Sequence, residues 1–160
     1  MFHQAKLKTT LGFLLLSSFA FSKPAFRELS QAELNKLLKE PCAFLHVWAT
    51  WCEPCVEELP RLLKFLGTQK KIKPVIVDVT PETERKTIST KLINSISPSF
   101  DTFYKPPGSD EAYVDSIDKT WGGSLPYSIF YKAGKIQKKW TGPLELKDLE
   151  KSFSGCVSSK

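Results

Sequence analysis

A Cys-x-x-Cys pair set between a buried strand and an amphipathic helix limits this chain's fold more than any other feature. Trp48-Ala49-Thr50-Trp51-Cys52-Glu53-Pro54-Cys55 ends an almost continuous apolar run from Cys42 to Ala49. That run has strand length, and apolarity on both faces predicts a central strand covered on both sides. Beyond the pair, Val56, Leu59, Leu62, Leu63 and Leu66 recur at helical spacing, and Gly67 is placed to close the helix. Positions i and i+3 on a first helical turn lie within disulfide reach, and the first sulfur is expected to stay exposed. Unpaired backbone N–H groups and the positive end of the helix dipole stabilise a thiolate there. A thiolate is the nucleophile of disulfide exchange, and the second thiol resolves the mixed disulfide.

Such a pair has two other uses. Zinc needs two more ligands, and Cys42 and Cys156 are single cysteines far apart in sequence, so no metal and no cofactor is expected. A purely structural bridge is the other alternative, although structural bridges seldom close a two-residue loop at a helix start. The strand–helix–strand setting favours redox chemistry.

The remaining pattern supplies that setting. Ser30-Gln31-Ala32-Glu33 reads as a capping box with Leu29 and Leu34 as its hydrophobic staple, and Pro41 stops the helix. Pro74 to Val79 is a second short buried strand, and Thr80-Pro81 opens a helix as N-cap and first residue, with Ile88, Leu92 and Ile96 inward. Between Ser97 and Ser124 the pattern is weak. Lys105-Pro106-Pro107-Gly108 is a loop, and Asp110 is read as the cap of a short helix carrying Tyr113, Val114 and Ile117. Leu125–Tyr131 and Ile136–Trp140 form a hairpin with Gly134 in its turn, and Leu146, Leu149 and Phe153 mark a last helix. The order predicts an α/β fold: a mixed sheet with parallel core strands, a C-terminal β-hairpin and helices on both faces.

Residues 1–22 read as a secretory signal peptide, with Lys6 and Lys8 ahead of the apolar stretch Leu11–Phe21 and small residues Ala20 and Ser22 before Lys23. An uncleaved N-terminal anchor is the alternative, although the stretch is shorter than the roughly 20 residues that span a bilayer. Either reading puts the domain, residues 23–160, in a periplasmic or other extracytoplasmic compartment. Removing residues 1–22 lowers the formal charge from +6 to +4. The lysines that remain are scattered and never interleave with aromatics, which speaks against a nucleic-acid partner.

Trp51-Cys52-Glu53-Pro54-Cys55 at a strand–helix junction resembles the thioredoxin superfamily, and the wider pattern is similar to its secreted TlpA/ResA-like branch of thiol–disulfide oxidoreductases. Pro60 stands where that fold commonly kinks the active-site helix. Ser124-Leu125-Pro126-Tyr127 stands where it carries a cis-proline, and Gly134 and Gly142 match its hairpin turn and the approach to the last helix. The likeness runs from about Leu29 to Phe153.

The resemblance implies roles. Cys52 would attack and Cys55 resolve. Pro126 would be the cis-proline, with Leu125 offering backbone groups to an extended substrate segment. Trp51, Glu53 and Pro54 would border the client. Glu53 disfavours a thiolate on Cys52, which points to a reducing pair. Glu58 matches a glutamate that tunes the cysteines in the ResA-like branch, and the alternative is an ordinary first-turn acid like Glu57. His46 stands where thioredoxin has a buried acid. It is read either as an acceptor of the Cys55 proton or as a hydrogen-bonded core histidine. In such a fold Cys42 and Cys156 both fall at the end of the sheet away from the active site. A structural Cys42–Cys156 disulfide is therefore expected, with two free thiols as the alternative.

The function implied is an extracytoplasmic thiol–disulfide oxidoreductase acting as a reductant, for example in cytochrome c maturation. Its clients would be cysteine-containing secreted or periplasmic proteins, and an upstream thiol donor, soluble or membrane-bound, would recharge it. A monomer is expected. Rival readings are a disulfide oxidant or isomerase, a peroxidase and a non-enzymatic thioredoxin-like binding module. Peroxidase chemistry is disfavoured because Ala49 stands where peroxiredoxin-like sites want threonine.

Overall fold

The computed structural model describes residues 23–157, so the signal-peptide reading of residues 1–22 lies outside the described residues. The strands are β1 (Phe26–Glu28), β2 (Cys42–Trp48), β3 (Lys73–Asp78), β4 (Thr102–Tyr104), β5 (Tyr127–Lys132) and β6 (Lys135–Thr141). They form one sheet in the order β1-β4-β3-β2-β5-β6. β1 to β4 run parallel, while β5 pairs antiparallel with β2 and β6 antiparallel with β5.

β2 is the strand the apolar run requires, buried at every position. Its alternation divides the core. Phe44 and Trp48 face a cluster with Cys55, Leu59, Leu62 and Leu63 of helix α2 (Glu53–Thr68) and with Leu149 and Phe153 of helix α6 (Leu146–Val157). Ala43, Leu45 and Val47 face the other cluster, with Leu34 and Leu37 of α1 (Gln31–Leu37) and Tyr113 and Ile117 of α5 (Asp110–Ile117).

Local chemistry explains where the elements start and stop. The Ser30 hydroxyl accepts the Glu33 N–H at 3.2 Å, as a capping box demands. The Glu33 carboxylate does not return the bond to Ser30. It takes two bonds from the Arg27 guanidinium instead, at 2.8 and 2.6 Å. Leu29 and Leu34 are both buried in one cluster, as the staple predicts.

Several sequence expectations are corrected. Gly67 lies inside α2, and Gln69 is the C-cap. A Cβ at Gly67 would stand 2.8 Å from the Ser99 hydroxyl, so close approach explains the glycine better than capping does. Pro81, and not Thr80, is the N-cap of α3 (Glu82–Glu84). A π-helical stretch, Arg85–Ser89, then separates α3 from α4 (Thr90–Ile96). Its wider turn rotates the apolar face, which leaves Ile88 51% exposed while Ile93 is buried. Ser109 caps α5 through its hydroxyl, one residue before Asp110, the cap that the sequence suggests. The hairpin turn is Ala133-Gly134, both at positive φ (48° and 76°), a pairing that suits the twist of two antiparallel strands.

Cys42 and Cys156 form a disulfide with Cα atoms 6.3 Å apart, joining the first residue of β2 to the last turn of α6. The expected staple is present.

Candidate redox site

The site begins where β2 runs out. Cys52 is the N-cap of α2 in extended backbone, Glu53 is the first helical residue, and Pro54 follows where a missing N–H costs nothing. Cys52 and Cys55 are joined, with sulfurs 2.02 Å apart. Cys52 keeps 6% of its surface and Cys55 none, so the outer cysteine is more buried than the exposed position expected for it. Trp51 beside it is 62% exposed. Glu53 and Pro54 also face solvent.

The loop entering the helix is pinned by β3. The Thr50 N–H donates to the Thr80 hydroxyl at 2.9 Å, and that hydroxyl donates to the buried Asp78 carboxylate. Asp78 also accepts the Thr80 N–H at 2.8 Å, while the Thr50 hydroxyl donates to Glu84 at 3.2 Å. Thr80 therefore serves the cysteine loop and not a helix start.

The Leu125–Pro126 peptide is cis, as the resemblance implies. Leu125 is half-buried and packs against the cluster that holds Cys52 and Cys55. The β5 ladder starts at Tyr127, so Leu125 stands outside it.

The structure brings together two residues that the sequence named separately. Glu58, one turn further along α2, is buried, and its Oε2 accepts the Leu144 N–H at 2.7 Å. His46 on β2 is fully buried, its Nδ1 2.8 Å from the hydroxyl of Ser128, its register partner on β5. His46 Nε2 lies 3.5 Å from Glu58 Oε1, and neither atom has another polar partner. Burial lowers the imidazole to about 3. Burial also raises the Glu58 carboxyl, against the pull of the Leu144 N–H and Arg61. Low dielectric penalises both charged forms, so this is a contact between two groups that lean neutral rather than an ion pair.

Ser128 and the Leu144 N–H have no place in the sequence reading, and Thr80 enters it only as a helix N-cap. A polar Ser128 inside the apolar run Leu125–Tyr131 was the one signal that could have pointed to a buried partner. Among the described residues no three His, Cys, Asp or Glu side chains converge to hold a metal ion. No described helix is long and apolar enough to cross a membrane.

No family model matches the chain. The thiol-disulfide oxidoreductase ResA of Oceanobacillus iheyensis is 29% identical over 108 residues, which are 66% of this chain and 52% of that protein. The chain thus spans about half the length of the curated relative it matches. Among solved structures, a thioredoxin-related protein from Neisseria meningitidis serogroup B aligns with a TM-score of 0.61 at 22% identity, covering 76% of this chain and 88% of that one. StoA from Bacillus subtilis aligns with a TM-score of 0.52 at 21% identity, covering 71% and 82%. The chain is thus similar in sequence to a thiol-disulfide oxidoreductase and in fold to thioredoxin-like proteins. Its fold is the thioredoxin-like arrangement of a mixed sheet with helices on both faces. Within that fold the Cys-x-x-Cys pair sits at the C-terminal end of the central parallel strand, and the second disulfide ties the opposite end.

Proposed function

We propose that the protein is an extracytoplasmic thiol–disulfide oxidoreductase that reduces disulfides of other proteins through Cys52 and Cys55. The observation that carries this reading is the Cys52–Cys55 disulfide closed over the first turn of α2, its outer cysteine keeping a small exposed area and its inner one sealed. In the dithiol form, the Cys52 thiolate attacks a client disulfide sulfur and releases one client thiolate, which takes up a proton. The Cys55 thiol gives up its proton and displaces the second client thiol from Cys52, reforming the Cys52–Cys55 bond. Two electrons have then passed to the client, and an upstream dithiol donor restores the pair.

Glu58 is the better acceptor for the Cys55 proton. Its raised carboxyl stands closer to neutrality, whereas burial leaves His46 a weak base. His46 then serves as a positioning residue, held by Ser128 and facing Glu58. The cis-Pro126 segment supports the client side of the reading, since Leu125 lies outside the ladder and offers backbone groups to an extended segment.

The reducing direction rests on charge. Exposed Glu53 next to Cys52 opposes a thiolate, which disfavours the dithiol form and lowers the potential. The Cys42–Cys156 disulfide suits an oxidising compartment. Cysteine pairs that must be kept reduced there, as in cytochrome c maturation, are the client class this direction favours.

A redox titration against a thiol buffer tests the direction: a potential near that of DsbA, about −120 mV, would overturn the reductant reading. The exchange itself is tested with Cys55→Ser, which should accumulate mixed disulfides on Cys52. No capture, together with no dithiothreitol-dependent reduction of insulin by the unmodified protein, would remove the proposed activity.

A further inference from the structure

We infer that the client presents a large apolar side chain and a basic residue beside its reactive cysteine, the first entering a cavity next to Trp51 and the second facing the carboxylates at its mouth. This deepens the oxidoreductase reading and rests on it.

A cavity of about 250 Å³ opens between the cysteine loop and α5, lined by Trp51, Val79, Tyr113, Val114, Trp121 and Leu125. Trp51 is the residue before Cys52, and Leu125 precedes the cis-proline and packs on the cluster that holds both cysteines. A segment that brings a sulfur to Cys52 across Leu125 therefore passes over the opening. The volume falls below the roughly 300 Å³ at which small-molecule pockets begin and suits one side chain. The lining is aromatic and aliphatic, and Trp51 is the most exposed of the large hydrophobic residues described. Exposed apolar surface of this kind marks a contact site.

The far wall is already built. Trp121 stacks on Tyr127 with ring centres 4.5 Å apart and donates its indole N–H to the Ser124 carbonyl at 2.8 Å. Asp118 accepts the Tyr127 hydroxyl at 2.6 Å, pairs with Lys139, and holds the turn through the Thr120 N–H at 2.9 Å. A pre-formed wall spares a client the cost of ordering it.

The mouth is acidic. Asp110 and Glu111 from the first turn of α5 border it and are exposed. Lys105 is the cation at this rim, and it is already committed. Its Nζ lies 3.1 Å from Asp110, 2.8 Å from the Gly108 carbonyl and 5.8 Å over the Tyr113 ring. Two carboxylates against one neutralised ammonium leave Glu111 uncompensated, and exposed Glu53 next to Cys52 adds to the same sign. A basic client residue is complementary to this rim, and an acidic one is repelled.

The test uses four short peptides, each a disulfide-linked dimer through one cysteine, whose flanking positions carry Phe and Arg, Ala and Arg, Phe and Glu, or Ala and Glu. The dithiol protein reduces each, and the release of peptide thiol gives second-order rate constants. The Phe/Arg peptide should react about tenfold or more faster than Ala/Glu. Val114→Trp, which fills the cavity, should bring the Phe-over-Ala ratio towards one, and Glu111→Lys should reverse the Arg-over-Glu ratio. Rates equal within twofold for the unmodified protein overturn this inference while leaving the oxidoreductase reading intact. Failure to reduce any peptide or insulin overturns both.

Discussion

His46 Nε2 and Glu58 Oε1 face each other at 3.5 Å, one from the central strand and one from the helix that the Cys52–Cys55 bridge begins, and both are shut off from water. The other polar atom of each is satisfied, by Ser128 and by the Leu144 N–H. The contact thus joins two buried atoms that have no other polar partner, one of them on the residue three positions after the inner cysteine on α2. Its proton content links pH to stability and, in the proposed exchange, to the fate of the Cys55 proton.

Glu58→Gln should become more stable relative to the unmodified protein as pH rises. Burial raises the Glu58 carboxyl above its unfolded value. Its contribution to stability is therefore complete below the unfolded pKa and is lost as pH climbs through the folded one. The slope cannot exceed about 1.4 kcal/mol per pH unit for one proton. Glutamine keeps an acceptor for Leu144 and does not titrate. Urea midpoints of both proteins should diverge as pH rises above the ordinary carboxylate range and run parallel once Glu58 is ionised in the folded state, and curves parallel throughout would contradict the assignment.

His46 should not titrate near neutrality. Its folded value lies at about 3, far below an ordinary imidazole. Its contribution to stability is present above about 6.5 and is lost as pH falls towards the folded value. Imidazole resonances of His46 followed by NMR should stay fixed between pH 5 and 8. A midpoint near 6.5 would show a ring that is solvated or ion-paired.

The parts of this fold visible in the sequence are those with a strong local period. β2 and α2 could be read because Cys42–Trp48 is uniformly apolar and Leu59, Leu62, Leu63 and Leu66 repeat at helical spacing, which put the cysteines at their junction. β1 and β4 have three residues each, too short for any alternation to register, and were missed. Ile88 was assigned to the core on a 3.6-residue period that the π-helical stretch interrupts. His46 and Glu58 were both singled out, yet their contact depends on how α2 lies across β2, which no spacing along the chain encodes. The second disulfide was accessible only through the fold that the resemblance implied.

Replacing both Cys42 and Cys156 by alanine should destabilise the protein by about 2–5 kcal/mol, because the bridge closes a loop spanning 114 positions of the chain. The bridge lies at the far end of β2 from Cys52, so the doubly substituted protein should still reduce insulin at temperatures where it is folded. Loss of exchange in a protein shown to be folded would mean that the two disulfides are coupled.

Thr80→Val tests whether the cysteine loop is held from β3. The Thr80 hydroxyl accepts the Thr50 N–H at 2.9 Å and donates to Asp78, and it is 2% exposed, so water cannot readily replace it. Valine has nearly the same shape and removes only the oxygen, leaving the Thr50 N–H short of a partner while Asp78 Oδ1 keeps the Thr80 N–H. A buried group left unpaired in this way costs about 1–3 kcal/mol. The cost should fall on the segment Ala49–Cys52, since Thr50 loses its anchor while β3 keeps its ladder to β2. Amide hydrogen exchange in that segment should rise by roughly one to two orders of magnitude, the factor equivalent to that free energy. The rate of reaction with protein disulfides should fall as well, because Cys52 no longer has a fixed approach. Unchanged protection at Thr50 and Trp51 would show that the helix start and the disulfide hold the loop without β3.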